Sequence, residues 1–96
     1  MATLTLISPR NYPLQPLVEA ALAKELNFLE AALQRTKQRL DEFEQKYQMT
    51  TGEFVTRYEN DELAETLEFD EWIGEYRLFT RLQEKVEMVR EIQFAN

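Results

Sequence analysis

The chain has 96 residues and a formal net charge of −7, and it contains neither cysteine nor histidine. This length suits one small domain with a marginal core, so we expect a partner or a second copy to add stability. Without His and Cys, most zinc, haem and iron–sulfur sites are excluded, as is acid–base catalysis by histidine. The sequence therefore predicts no catalytic residues, no metal ligands and no cofactor.

The composition also predicts a cytoplasmic location without membrane contact. No apolar run approaches the ~18 residues that cross a bilayer. The opening residues, MATLTLISPRNY, lack a basic region followed by a long apolar run, so they do not resemble a signal peptide. The acidic balance argues against simple binding to phosphate backbones, which requires clustered Lys and Arg.

Residues 1–16 are predicted to form an N-terminal extended arm. The run from Thr3 to Ile7 alternates β-branched and apolar side chains, which predicts a short strand. Prolines then disfavour helix before Pro16, which itself suits the first position of a helix. A lone strand leaves backbone groups unpaired, so three outcomes stay open: pairing with a second copy, pairing with another protein, or disorder.

A long helix is predicted from about Leu17 to Gln48. Its apolar residues repeat at alternating spacings of four and three, which is typical of a coiled-coil seam. We expect this seam to join two copies of the chain in a homodimer. Its members are Leu22, Leu26, Leu29, Leu33, Thr36, Leu40, Phe43 and Tyr47.

The remaining residues predict a helical elbow and a last helix. Thr50 and Glu53 have the spacing of a capping box, which begins a short helix. A second break at residues 60–61 is followed by a short turn of helix, and Asp70 caps a final helix over about 71–93. The sequence therefore predicts an all-α fold in which residues 17–96 form one domain. This fold is an antiparallel helical hairpin with a long coiled-coil-like first helix, a short helical elbow and the extended arm.

Negative charge is concentrated in the second half of the chain. Between Glu53 and Glu75 there are nine acidic residues and one basic residue, Arg57. Such a field attracts basic partners, and Trp and Tyr often anchor protein interfaces. Trp72 and Tyr76 fit either such anchors or an aromatic core beneath the elbow, and the core is favoured for Trp72. The candidate partner-binding residues are Glu59, Asp61, Glu62, Glu65, Glu68, Trp72 and Tyr76.

The segment after residue 42 resembles a family of small prokaryotic helical proteins. The family pattern is FE-x-KYGM-S/T-x-EEF, then an acidic turn R-F/Y-E-x-GEL, then D-x-EW and a closing helix. The matching residues are Phe43, Glu44, Lys46, Tyr47, Met49, Thr50, Glu53, Phe54, Arg57, Tyr58, Glu59, Glu62, Leu63, Asp70, Glu71 and Trp72. Gln48 and Asp61 stand where the pattern has glycine, and the resemblance covers about half of the chain.

This resemblance implies an antitoxin, encoded beside a small toxin such as the TumE type and neutralising it by direct binding. Three functions stay open. The first is a non-enzymatic, antitoxin-like interaction module with an acidic and aromatic surface. The second is a homodimeric coiled-coil scaffold. The third is a DNA-binding autoregulator that uses the N-terminal arm, although Arg10 is the single basic residue of that arm. An enzymatic function is the least favoured class.

Overall fold

A computed structural model describes residues 1–94 as three helices without a strand. Helix α1 spans Leu14–Tyr47, α2 spans Thr51–Glu59 and α3 spans Leu67–Glu91. Helices α1 and α3 pack side by side in opposite directions, and α2 forms the elbow between them. The predicted all-α helical hairpin is confirmed. It forms a rod of 60 × 24 × 19 Å, with the elbow at one end and the start of α1 at the other.

The heptad stripe of α1 packs against α3 of the same chain. Near the elbow, Leu40 and Phe43 join Trp72 and Ile73 in one buried cluster. Farther along the rod, Leu29 joins Leu82 and Val86 in a second cluster, with half-buried residues of both helices around it. The seam from Leu26 to Tyr47 is thus covered by α3, and its burial needs no second copy. The homodimer itself stays a prediction, but the described fold does not leave this part of the seam open to one.

Thr36 is the polar member of the seam, and it is buried with 4% of its surface exposed. Its hydroxyl donates a hydrogen bond to the Ala32 carbonyl oxygen at 2.9 Å. This bond satisfies the hydroxyl inside the helix, because a buried polar group without a partner is costly. Threonine therefore fits the seam without a polar partner on α3.

Charged pairs join the two long helices along their length. Arg39 reaches Glu71 at 3.6 Å near the elbow, and Arg90 reaches Glu30 at 2.6 Å near the other end. All four side chains are more than a third exposed, so each pair adds little stability. These pairs also show which parts of the two helices are neighbours: the Arg90–Glu30 pair places the end of α3 beside Glu30. The first turns of α1 therefore extend beyond α3.

The start of α1 differs from the sequence prediction. The helix begins at Leu14, so Pro16 lies inside its first turn instead of at its first position. The first four N–H groups of a helix have no partner within it, so proline is tolerated there. The predicted strand over residues 3–7 does not form in the described chain, and Leu4 and Ile7 are 81% and 84% exposed.

The start of α3 also differs from the prediction. Thr66 caps the helix, because its hydroxyl oxygen accepts a hydrogen bond from the Phe69 N–H at 3.1 Å. Asp70, predicted as the cap, lies inside the first turn, where a carboxylate favourably faces the positive end of the helix dipole. The short helical turn predicted before it is absent from the described residues, and α3 ends at Glu91. Residues 95–96 of the predicted domain lie outside the described range.

Both residues that replace a pattern glycine adopt left-handed backbone conformations. Gln48 ends α1 with φ 52°, and Asp61 follows α2 with φ 54°. After α2, the Glu62 N–H donates to the Arg57 carbonyl at 2.9 Å and the Asp61 N–H donates to the Tyr58 carbonyl at 3.2 Å. This is the Schellman arrangement, which usually has glycine at its left-handed position.

We expect Gln48→Gly to raise the free energy of unfolding by about 1 kcal/mol, because glycine adopts positive φ without a steric penalty. Asp61→Gly should give a smaller gain, since Asp tolerates this conformation better than Gln. The matched control is Gln45→Gly, which places glycine inside α1 and should cost about 1 kcal/mol. Urea unfolding measures all three changes. A destabilised Gln48→Gly variant would contradict the left-handed assignment.

Candidate interaction surface

Trp72, which was predicted as a partner contact, lies fully buried in the core. Its ring stacks between Phe54, at a centroid distance of 3.9 Å, and Phe43, at 5.4 Å. Its indole N–H donates to the hydroxyl oxygen of buried Thr51 at 3.1 Å. The prediction of a partner contact at Trp72 is therefore wrong for this fold, and the core alternative is correct. The cause is the helical break after α1, which folds α2 over the indole.

Tyr76 lies one turn after Trp72 on α3 and is half-buried against the same aromatic cluster. Tyr47 packs into this cluster from α1, with its ring 5.7 Å from that of Trp72. The two aromatic residues predicted for an interface thus belong wholly or largely to the elbow core. Aromatic anchors do not accompany the acidic residues on the surface as the sequence suggested.

Glu68 is held by two residues of α1. Its carboxylate accepts a hydrogen bond from Lys46 Nζ at 2.5 Å and another from the Tyr47 hydroxyl. These hydrogen bonds, that of Lys46 first, lower the pKa of the Glu68 carboxyl. The same contacts with Glu68 raise the pKa of Lys46 and of Tyr47. Glu68 therefore fastens the start of α3 to the end of α1, and its charge is already compensated.

This contact predicts a stability difference that depends on pH. The pKa of Glu68 is lower in the folded chain than in the unfolded chain. Ionised Glu68 therefore adds to the free energy of unfolding above its unfolded pKa, and this stabilisation is lost as the pH falls through its folded pKa. Glu68→Gln should lower the free energy of unfolding at neutral pH. The difference in free energy of unfolding between this variant and the parent should become smaller below pH ~4. Urea unfolding at several pH values measures this gap. Glu84→Gln, at an exposed glutamate of α3, is the control, and an equal gap at all pH values would contradict the assignment.

Four predicted acidic residues follow one another on the surface from the end of α2 through the loop before α3, and we call them the acidic elbow. They are Glu59, Asp61, Glu62 and Glu65, and all four are exposed. None of them forms a salt bridge within residues 1–94. The structure thus brings together four of the five predicted carboxylates as uncompensated charge and separates Glu68 from them by its pairing.

Helix stability does not explain the three members of the acidic elbow that lie at the end of α2. Glu59 is the last residue of α2, and Asp61 and Glu62 follow the C-cap residue Asn60. The C-terminal end of a helix carries partial negative charge, so carboxylates there are unfavourable. Arg57 is the basic residue in this last turn. The backbone of the turn is fixed by its Schellman hydrogen bonds, which keep these carboxylates at the tip of the rod.

Sequence reasoning missed two contacts that position the elbow. The Glu44 carboxylate accepts a hydrogen bond from the Thr51 N–H at 2.7 Å, beside the predicted bond from the Glu53 N–H to the Thr50 hydroxyl oxygen. A carboxylate in the last turn of a helix can reach the free N–H groups at the start of the next helix when the break between them is short. The position of Glu44 in the last turn of α1 is the sequence signal that could have predicted this contact. Tyr58 donates from its hydroxyl to Asp70 at 3.1 Å, and this bond raises the pKa of Tyr58.

Metal and membrane features do not add to this surface. Among residues 1–94, no group of three or more acidic side chains is arranged so that it could hold a metal ion. No helix of the same range has both the length and the apolar character needed to cross a membrane. Comparison of the chain with protein-family models, curated proteins and solved structures gave no match. The candidate site therefore rests on the charge, exposure and fixed position of the acidic elbow.

Proposed function

We propose that this chain is a non-enzymatic, cytoplasmic interaction module of the antitoxin kind, which neutralises a small toxin by covering its basic surface with the acidic elbow. The observation that carries the proposal is the set of four exposed carboxylates that have no salt-bridge partner in residues 1–94. A toxin that acts on RNA needs basic residues to hold phosphates, so such a surface is its natural electrostatic complement.

The negative charge at the end of α2 supports partner binding because it opposes the stability of the isolated chain. Like charges at the end of α2 repel one another and oppose the helix dipole. A basic partner would relieve both effects, and its approach would be accelerated by the same field. The elbow thus has electrostatic properties that favour association over isolation.

The apolar contact that slows release is proposed to be Leu67. This side chain is 75% exposed at the first position of α3, directly after the turn that carries the acidic elbow. Interfaces gain most of their affinity from a few apolar or aromatic contacts surrounded by polar groups. Leu67 replaces Trp72 in this role, because Trp72 is buried.

The backbone supports the family resemblance on which the antitoxin proposal draws. The pattern has glycine at positions 48 and 61, and this chain adopts positive φ at both of them. Since glycine is favoured at positive φ, the pattern fits the two turns of this fold. The alternative of a DNA-binding autoregulator has less support, because the arm carries one base, Arg10, and forms no strand in the described residues.

Co-purification with the product of the neighbouring gene tests the proposal. The parent chain should retain that product, and the double variant Glu62→Lys with Glu65→Lys should lose it. The matched control reverses Glu84 and Glu87, which are exposed on α3 away from the elbow and give the same change in net charge. Equal retention by both variants would refute the role of the elbow, and no retention by the parent would refute the partnership.

A further inference from the structure

The chain exposes more surface than a compact domain of its mass. Its accessible area is 7835 Å² for 11.5 kDa. A compact folded monomer of this mass has about 5,800 Å². The difference exceeds the ~800 Å² that each partner buries in an ordinary interface. The excess includes the exposed arm of residues 1–13, so the arm and the rod together have enough accessible surface for a second interface besides the acidic elbow.

Exposed apolar residues concentrate at the end of the rod opposite the elbow. In this region α1 extends beyond α3, and we call its apolar side the open-end face. It consists of the exposed Leu17 and Ala21, the half-buried Leu14, Val18 and Leu22, and also Phe28, which is exposed on the following turns of α1, on the side away from α3. The first five follow the i, i+3, i+4, i+7, i+8 spacing of an apolar helix face. Leu17 and Phe28 are 65% and 64% exposed, and no member of the face belongs to either core cluster.

The open-end face continues the seam that α3 covers farther along α1. Val18 and Leu22 extend the stripe of Leu26 and Leu29, but they lie beyond the position where Arg90, near the end of α3, meets Glu30. The exposed arm starts at the same end, because residues 1–13 precede α1 directly. Its alternating run from Thr3 to Ile7 has no charged side chain. The apolar surface of this end is thus continuous with an interface that the chain already uses.

The charge distribution favours a second copy of this chain as the occupant of this face. Residues 1–28 contain two acids and two bases, whereas the segment between Glu53 and Glu75 contains nine acids and one base. The end of α3 adds Glu87, Arg90 and Glu91 there, so the open end carries little net charge. Two copies can therefore approach through their open ends with little repulsion, while their acidic elbows point away from each other. From this geometry we infer that the open-end face binds a second copy of this chain, with the two α1 helices antiparallel about a twofold axis. This inference does not depend on the function of the elbow.

Sedimentation equilibrium of the full chain tests this interface. The parent should be a dimer at micromolar concentration, and Leu17→Glu with Phe28→Glu should weaken the dimer by about 100-fold, because two charges would enter the apolar contact. The control is Leu67→Glu with Leu78→Glu, which adds two charges at exposed leucines outside the face and should leave the dimer intact. A monomeric parent, or equal dimers of both variants, would overturn the inference.

Spin labels test the same geometry without disturbing the face, because the chain has no native cysteine. A label at Ala20→Cys, an exposed position of α1 outside the face, should give a short distance between the two copies. A label at Glu59→Cys should give a distance longer than the 60 Å rod, because the elbows lie at the far ends. A short distance at Glu59→Cys would overturn the antiparallel open-end arrangement, even if one of the charged variants failed to fold.

Discussion

Trp72→Ala is expected to lower the free energy of unfolding by about 3–5 kcal/mol. The indole is fully buried, stacks on Phe54 and Phe43, and joins all three helices around the elbow. Its removal leaves a cavity and also leaves the buried Thr51 hydroxyl without the indole donor. A domain of this length has only about 5–15 kcal/mol of stability, so the variant should be close to unfolding at room temperature.

Urea unfolding followed by far-ultraviolet circular dichroism measures this effect, because the variant lacks the single tryptophan that fluorescence would need. Trp72→Phe should lower the free energy of unfolding less than Trp72→Ala does, since one ring can still stack between the two phenylalanines. Leu78→Ala is the control on the same helix, and its 43% exposure predicts a change within about 0.5 kcal/mol. Parent-like stability of Trp72→Ala would show that the elbow core does not hold the hairpin together.

Reversal of the elbow charges is expected to have the second large effect, on association with the partner. Glu62→Lys with Glu65→Lys should lower the association rate by about 10–100-fold at low salt, because complementary potentials accelerate encounter by this order. The parent rate should fall steeply as ionic strength rises, and the variant should have a much shallower slope. Stopped-flow mixing with the neighbouring gene product measures both rates.

The matched reversal at Glu84 and Glu87 separates local from overall charge. Both positions are exposed on α3, and this variant has the same net charge as the elbow variant. If the field is local to the elbow, this control should keep most of the parent rate and its salt dependence. Identical rates for the two double variants would mean that only the net charge of the chain matters.

The helical hairpin could be predicted from the sequence because its signals are local. The stripe from Leu26 to Tyr47 has a helical period over many turns, and the Thr50 cap marks the break that follows. The covering partner of that stripe could not be predicted. A heptad repeat shows which face is buried, but an α3 from the same chain and an α1 from a second copy bury it equally well.

The sequence also could not show which residues of the acidic and aromatic segment are exposed and which are paired or buried. Glu65 and Glu68 are three residues apart and chemically identical, yet Glu65 is exposed while Glu68 binds Lys46 and Tyr47. Trp72 lies in the same acidic run but is buried by the return of α2. These differences depend on the start of α3 at Leu67, four residues before the start at residue 71 that an Asp70 cap predicts.

Carboxyl footprinting of the complex tests the central claim most directly. Carbodiimide labelling with mass spectrometry would compare each carboxylate in the free chain and in the chain bound to the neighbouring gene product. We predict strong protection of Glu59, Asp61, Glu62 and Glu65, with little change at Glu84 and Glu87. Protection of α3 positions with the acidic elbow still fully labelled would contradict the proposal that this surface binds the partner.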